Sequence, residues 1–116
     1  VLVITRFRVP PAANDDFTAD LRAVVDALAA RPGLVDSYVG RNLDEPTLWT
    51  LTTRWQSVGA YRRALSAYDV KLATARPYAF ALEEPSAYTD TFDDVVADDV
   101  VDDTNPSPGA PRRGNR

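Results

Sequence analysis

Apolar and polar residues alternate through the first nine positions. Val1, Val3, Thr5, Phe7 and Val9 fall on one side, and Leu2, Ile4, Arg6 and Arg8 on the other. A period of two in β-formers predicts a strand. Pro10-Pro11 ends it, because proline has no amide to give to a ladder. The period then lengthens: Phe17, Leu21, Val24, Val25 and Leu28 recur at spacings of three and four, the single apolar stripe of an amphipathic helix. Asn14 is placed to cap that helix, and Asp15 and Asp16 suit the positive end of its dipole. Pro32-Gly33 stops it, so a helix is expected from about residue 14 to about residue 31.

Leu34 to Leu43 reads as a second strand and Thr47 to Trp55 as a third, joined into a hairpin by a turn at Asp44-Glu45-Pro46. Ser57 caps a helix that begins near Val58, breaks near Ser66 and resumes to Arg76, where Pro77 terminates it. Ala79 to Leu82 is a short apolar piece. Ser86 to Phe92 follows Glu83-Glu84-Pro85 as a last strand. The order β-α-β-β-α-β is the ferredoxin-like pattern of an α+β protomer, with a four-stranded antiparallel sheet and both helices on one face. Leu48, Thr50 and Thr52 then lie on the other face. A second copy packed sheet to sheet would cover it, so a homodimer is expected.

Domain organisation follows from a change of composition near residue 93. Residues 1–92 form one domain, while residues 93–116 alternate acidic pairs with Val-Val or Val-Ala and then become rich in Pro, Gly and Arg. Such a tail has too little apolar surface to fold alone. It is expected to be disordered, or extended over the partner subunit through its VVADDVV stretch. The tail also carries most of the chain's net charge of −4, which leaves the domain near neutral and without a basic face for nucleic acid. The chain contains no cysteine, no histidine and no methionine. Thiolate and imidazole metal sites, a thiol nucleophile and a Ser-His-Asp constellation are thereby excluded. No metal site is expected from the spacing of the carboxylates. No apolar run is long enough to span a bilayer, no leader pattern opens the chain, and a cytoplasmic location is the default expectation.

Candidate chemistry concentrates in LWTLTTRWQSVGAYRRALSAYDVK, residues 48–71. Trp49, Leu51 and Trp55 share one strand face, and Tyr61 can meet that face from the following helix. Two readings fit these residues: an apolar pocket with polar edges, or an aromatic core. Arg62 and Arg63 diverge by about 100° around a helix, which favours ion pairs with acids such as Asp69 over a shared pocket. Lys71 reads as a surface residue, and nothing pairs Glu83 with Glu84 as an acid/base couple.

The blocks RPG (31–33), GRNLDEPTLW (40–49), RWQSVGAYRRAL (54–65), YDVK (68–71) and EPSAY (84–88) together resemble the antibiotic biosynthesis monooxygenase family, in an actinobacterial-type branch. The family resemblance implies ferredoxin-like protomers paired into a dimeric α+β barrel. In its haem-degrading branch an asparagine, a tryptophan and a haem-ligating histidine carry the chemistry. Their positions fall on Thr5, Ala64 and Thr74 here, so that reaction is not implied. In the cofactor-free branch a tryptophan ends the third strand and a tyrosine follows in the helix, which match Trp55 and Tyr61; an asparagine of that branch falls on Leu51. By this resemblance Trp55 and Tyr61 frame a small aromatic ligand, polyketide- or quinol-like. Thr5, Trp49 and Tyr68 line it, Arg76 is the electrostatic candidate, and no cofactor is needed. No catalytic residue is assigned. The other reading on the same scaffold is a non-catalytic ligand-binding or accessory dimer.

Overall fold

The computed structural model describes residues 1–89. β1 spans Leu2–Arg8, α1 Asn14–Ala29, β2 Leu34–Arg41, β3 Leu48–Trp55, α2 Val58–Ser66, α3 Tyr68–Thr74 and β4 Ala87–Tyr88, with short 3-10 turns at Pro11–Ala13 and Pro77–Phe80. The four strands form one antiparallel sheet in the order β2-β3-β1-β4. This is the ferredoxin-like α+β arrangement that the alternating pattern predicts. Among the described residues no helix is long and apolar enough to cross a membrane.

The inner side of the sheet is read directly from the alternation. Val3 and Phe7 are buried on β1, Val9 just past its end, and Trp49, Leu51, Thr53 and Trp55 on β3. Phe17, Leu21, Val24 and Leu28 of α1 close over them. Burial of an aliphatic or aromatic side chain contributes about 1.5–3 kcal/mol, so this stripe and these two strands carry most of the stability. On the opposite face Leu2 pairs with Arg54, Ile4 with Thr52, Arg6 with Thr50 and Tyr38 with Thr52. No element of the described chain covers that face. Its margins carry ion pairs, Arg54 with Asp36 and Arg6 with Glu84.

The boundaries depart from the sequence reading in four places, each for a local reason. Asn14 is not a cap: Pro10-Pro11 lead into a 3-10 turn whose end runs straight into α1, so Ala13 is the capping position and Asn14 the first helical residue. The helix stops at Ala29 rather than near residue 31, before the Pro32-Gly33 turn. β2 stops at Arg41 because the Asn42 side chain accepts from the amides of Asp44 and Glu45 and turns the chain early. The second helical segment ends at Thr74, short of Arg76. The break near Ser66 is present: Ala67 is extended, with ψ 137°, and ends α2 before α3 begins. Ser57 caps α2 as expected, accepting from the Ala60 amide at 3.0 Å. Of the last expected strand, Ala87–Tyr88 pairs with β1, and residues 90–92 lie outside the described residues. The Ala79–Leu82 piece also serves β1: Leu82 donates its amide to the Arg6 carbonyl at 2.9 Å.

Candidate functional site

Trp55 ends β3 on the helix-facing side and is almost wholly buried, with 2 % of its surface exposed. Its indole N–H donates to Thr53 Oγ1 at 2.9 Å, which satisfies the donor and fixes the ring plane. The Tyr61 ring packs on it from α2, centroids 6.0 Å apart and tilted by 52°. Ser57 positions Tyr61, because the cap sets where α2 begins and hence which residues of its first turns face the sheet.

Three further residues complete the cluster. Tyr78 is drawn under the helices by the turn that Pro77 starts, and its ring meets Phe7 edge-on at 5.3 Å. Burial pushes its hydroxyl up to about 12; the neighbouring Tyr61 adds to the rise, and a hydrogen bond with Thr5 offsets part of it. Burial raises Tyr61 as well, against a hydrogen bond with Ser86. Thr5, Tyr61, Tyr78 and Ser86 thus bring four hydroxyls together, and Tyr61 is the one that packs on Trp55. At neutral pH both phenols keep their protons, so the cluster donates hydrogen bonds and does not act as a base.

A cleft of about 190 Å³ opens beside Tyr61, lined by Val1, Val58, Tyr61, Arg62, Ala87 and Tyr88; Tyr61 is the one residue of the cluster that borders it. Trp55 lies behind Tyr61 and does not border it. A larger cleft, about 230 Å³, lies elsewhere, between α1 and β2, and Trp49 belongs to that one. Trp49 and Trp55 share a face, but six residues of strand separate them by about 20 Å. Trp49 packs against Phe17 instead, with centroids 5.4 Å apart.

The remaining candidates point outward. Tyr68, at the start of α3, is 74 % exposed. The Arg76 guanidinium makes two hydrogen bonds to the Asp20 carboxylate of α1, at 2.8 and 2.7 Å, and holds that carboxyl below its usual value. Of the six residues singled out in the sequence, the fold therefore gathers Trp55, Tyr61 and Thr5 and disperses Trp49, Tyr68 and Arg76. Tyr78 and Ser86 were missed. A tyrosine immediately after a helix-ending proline was the one available signal for the first; Ser86 carried none. Among the described residues no ion pair joins Arg62 or Arg63 to Asp69, and no group of three or more acidic side chains is arranged to hold a metal ion.

The two phenols make a titration prediction. A folded-state value raised above the ordinary 10 contributes stability fully present below pH 10, lost as pH rises toward 12. Thermal unfolding of the parent should lose roughly 2–3 kcal/mol more than Tyr78→Phe across that interval. Parallel curves for the two proteins would show that Tyr78 is not held in its protonated form.

An antiparallel sheet with helices on one face and a tyrosine-lined cleft at one end defines a ferredoxin-like α+β domain. Residues 1–76 match the model of the antibiotic biosynthesis monooxygenase family, and the chain belongs to that family. A curated relative, a 42.8 kDa protein in the whiE locus of Streptomyces coelicolor, is 28 % identical over all 116 residues, and the chain spans 28 % of its length. The fold is similar to that of SnoaB, a cofactor-independent oxygenase from Streptomyces nogalater, at TM-score 0.64 and 22 % identity, over 70 % of this chain and 82 % of that one. It is also similar to a solved antibiotic biosynthesis monooxygenase at TM-score 0.68 and 14 % identity, over 78 % and 96 % of the two chains.

Proposed function

We propose that this protein is a cofactor-independent monooxygenase for a small aromatic metabolite, polyketide- or quinol-like, and that it works as a homodimer. The observation that carries the reading is the pair of protonated phenols: Tyr61, which lines the cleft and packs on Trp55, and Tyr78 close behind it. A substrate with an acidic ring methylene supplies its own reactivity. Its proton leaves to solvent, and the resulting oxyanion is stabilised by the two phenolic O–H groups, which are preorganised for developing negative charge. The anion gives an electron to dioxygen, a C–O bond forms at the former methylene carbon, and the hydroperoxide loses water. Two C–H bonds are replaced by a C=O; one oxygen atom of dioxygen enters the product and the other leaves as water. Dioxygen is the only oxidant required. Tyr61 supplies the ring wall of the cleft, and the buried Trp55 ring behind it holds that wall in place.

A second reading, a non-catalytic ligand-binding or accessory dimer, is favoured by a different observation. Trp55 and Leu51 are each only 2 % exposed, so much of the space between helices and sheet is filled. Oxygen consumption separates the two. With a panel of anthrones the parent should consume oxygen, and Tyr78→Phe should lower kcat roughly 10²-fold while its far-UV spectrum is unchanged. Equal rates in parent, Tyr78→Phe and Trp55→Phe would favour the accessory reading.

Dimerisation is proposed from the uncovered sheet face, where Leu2, Ile4, Leu48, Thr50 and Thr52 are unshielded by any helix. Sheet-to-sheet packing would remove that apolar surface from water. Light scattering at micromolar concentration should return twice the chain mass of 12.7 kDa. A mass of one chain would refute the dimer.

A further inference from the structure

We infer that the acidic segment following Thr89, residues 90–103 of the same chain, docks along the outer face of α2. The contact is independent of the proposed oxygenation and would stand if that reaction were absent.

Helical phase sets which residues of α2 face outward. Ala60 and Ala64 are buried, and Tyr61 leans on Trp55. At about 100° per residue, Val58, Arg62 and Leu65 then share an arc of about 60° on the side away from the two alanines, with Arg63 at its flank. Val58 is 45 % exposed and Leu65 42 %, and both arginines are exposed. Along the helix this stripe reads apolar, basic, basic, apolar.

Its charge is uncompensated within the domain. Arg6, Arg8, Arg54 and Arg76 each hold a carboxylate, those of Glu84, Glu45, Asp36 and Asp20. Among the described residues no ion pair involves Arg62 or Arg63. The Arg63 guanidinium lies back against Gly59, along its own helix.

The chain delivers a complement to this face. Tyr88 and Thr89 line the same cleft as Val58 and Arg62, so the residues that follow start beside α2. Residues 90–103 carry seven aspartates and no basic residue. They also match the order of the stripe: Phe92, Asp93, Asp94 and Val95 read apolar, acidic, acidic, apolar. The lengths agree as well. Val58 and Leu65 lie about 10 Å apart along the helix axis, and an extended chain covers about 10 Å from Phe92 to Val95. A further reach of about 10 Å separates Phe92 from Thr89. Exposed ion pairs contribute little one by one. A segment tethered this close, however, meets α2 at an effective concentration on the order of millimolar. The arginines at the sheet margins do not compete for it, because their carboxylates are already in place.

The test uses the full chain. Lys71 is its only lysine, so Arg62→Lys adds a single second amine. A water-soluble carbodiimide joins an amine to a carboxylate only where the two are in contact. Peptide mapping should find position 62 joined to Asp93 or Asp94. The yield should fall roughly fivefold in about 1 M salt, where the Debye length is about 3 Å. When unlabelled and nitrogen-15 chains are unfolded and refolded together, the joined peptides should carry one isotope throughout. Independently of the cross-link, Asp93→Asn with Asp94→Asn should move the amide resonances of Val58–Leu65 in the parent and leave them in place in Arg62→Gln/Arg63→Gln. A yield indifferent to salt would mean tethering without docking, and mixed isotopes would seat the partner subunit's segment on the helix. Unmoved α2 resonances would leave this face bare. Each of these results would overturn the inference.

Discussion

Gly33→Ala should destabilise the fold by about 2–5 kcal/mol, the sum of backbone strain and overpacking. Gly33 has φ +96°, a left-handed conformation that L side chains rarely adopt. A Cβ at this position would collide with the Cβ of Ala60 in α2. The contact cannot relax cheaply. Ala60 is buried, and the Gly33 carbonyl accepts the Gln56 amide at 2.8 Å, tying the turn to the end of β3. Gly33 thus lets the α1–β2 turn lie directly under α2, and that closeness seats Tyr61 over Trp55. Chemical denaturation should show the loss with an unchanged m-value. A loss under 1 kcal/mol, on the order of a permissive Gly→Ala change, would mean that the turn has room.

Trp55→Ala should cost a similar amount, about 3–5 kcal/mol, because it removes a large buried ring and leaves a cavity. It also strands Thr53 Oγ1, a buried acceptor whose donor is the Trp55 indole. Trp55→Phe keeps most of the volume and loses the hydrogen bond, so about 1–3 kcal/mol is expected. The difference between the variants has a functional use. A wall of an active site should lose turnover in Trp55→Phe beyond what its stability predicts. A residue that is only core should lose stability and nothing else.

Most of the fold was legible because strand and helix announce themselves by period. β1 and β3 alternate cleanly, and α1 carries its stripe without interruption. The misplaced ends occur where backbone and side-chain turns compete with periodicity: prolines at the start of α1, and the Asn42 side chain at the end of β2. The site was legible in part. Trp55 and Tyr61 meet because one hydrogen-bonded cap joins strand to helix, a short-range relation that sequence conveys well. Tyr68 and Arg76 could not be aimed from sequence, since extended Ala67 resets the helical phase between Tyr61 and both of them. Arg76 finds Asp20, 56 positions earlier, a long-range pairing that no local pattern encodes. Tyr78 was hidden for the related reason that a 3-10 turn brings it back against Phe7.

The central claim is that the phenol pair of Tyr61 and Tyr78 supports addition of one atom of dioxygen to an ionised aromatic carbon. Reaction of the parent protein and Tyr78→Phe with an anthrone under isotopically labelled dioxygen tests it most directly, with product mass and rate followed together. The account predicts a quinone carrying one labelled oxygen, formed by the parent and roughly 10²-fold more slowly by the variant. Labelled quinone at the same rate with both proteins, or at the rate of buffer alone, would contradict it.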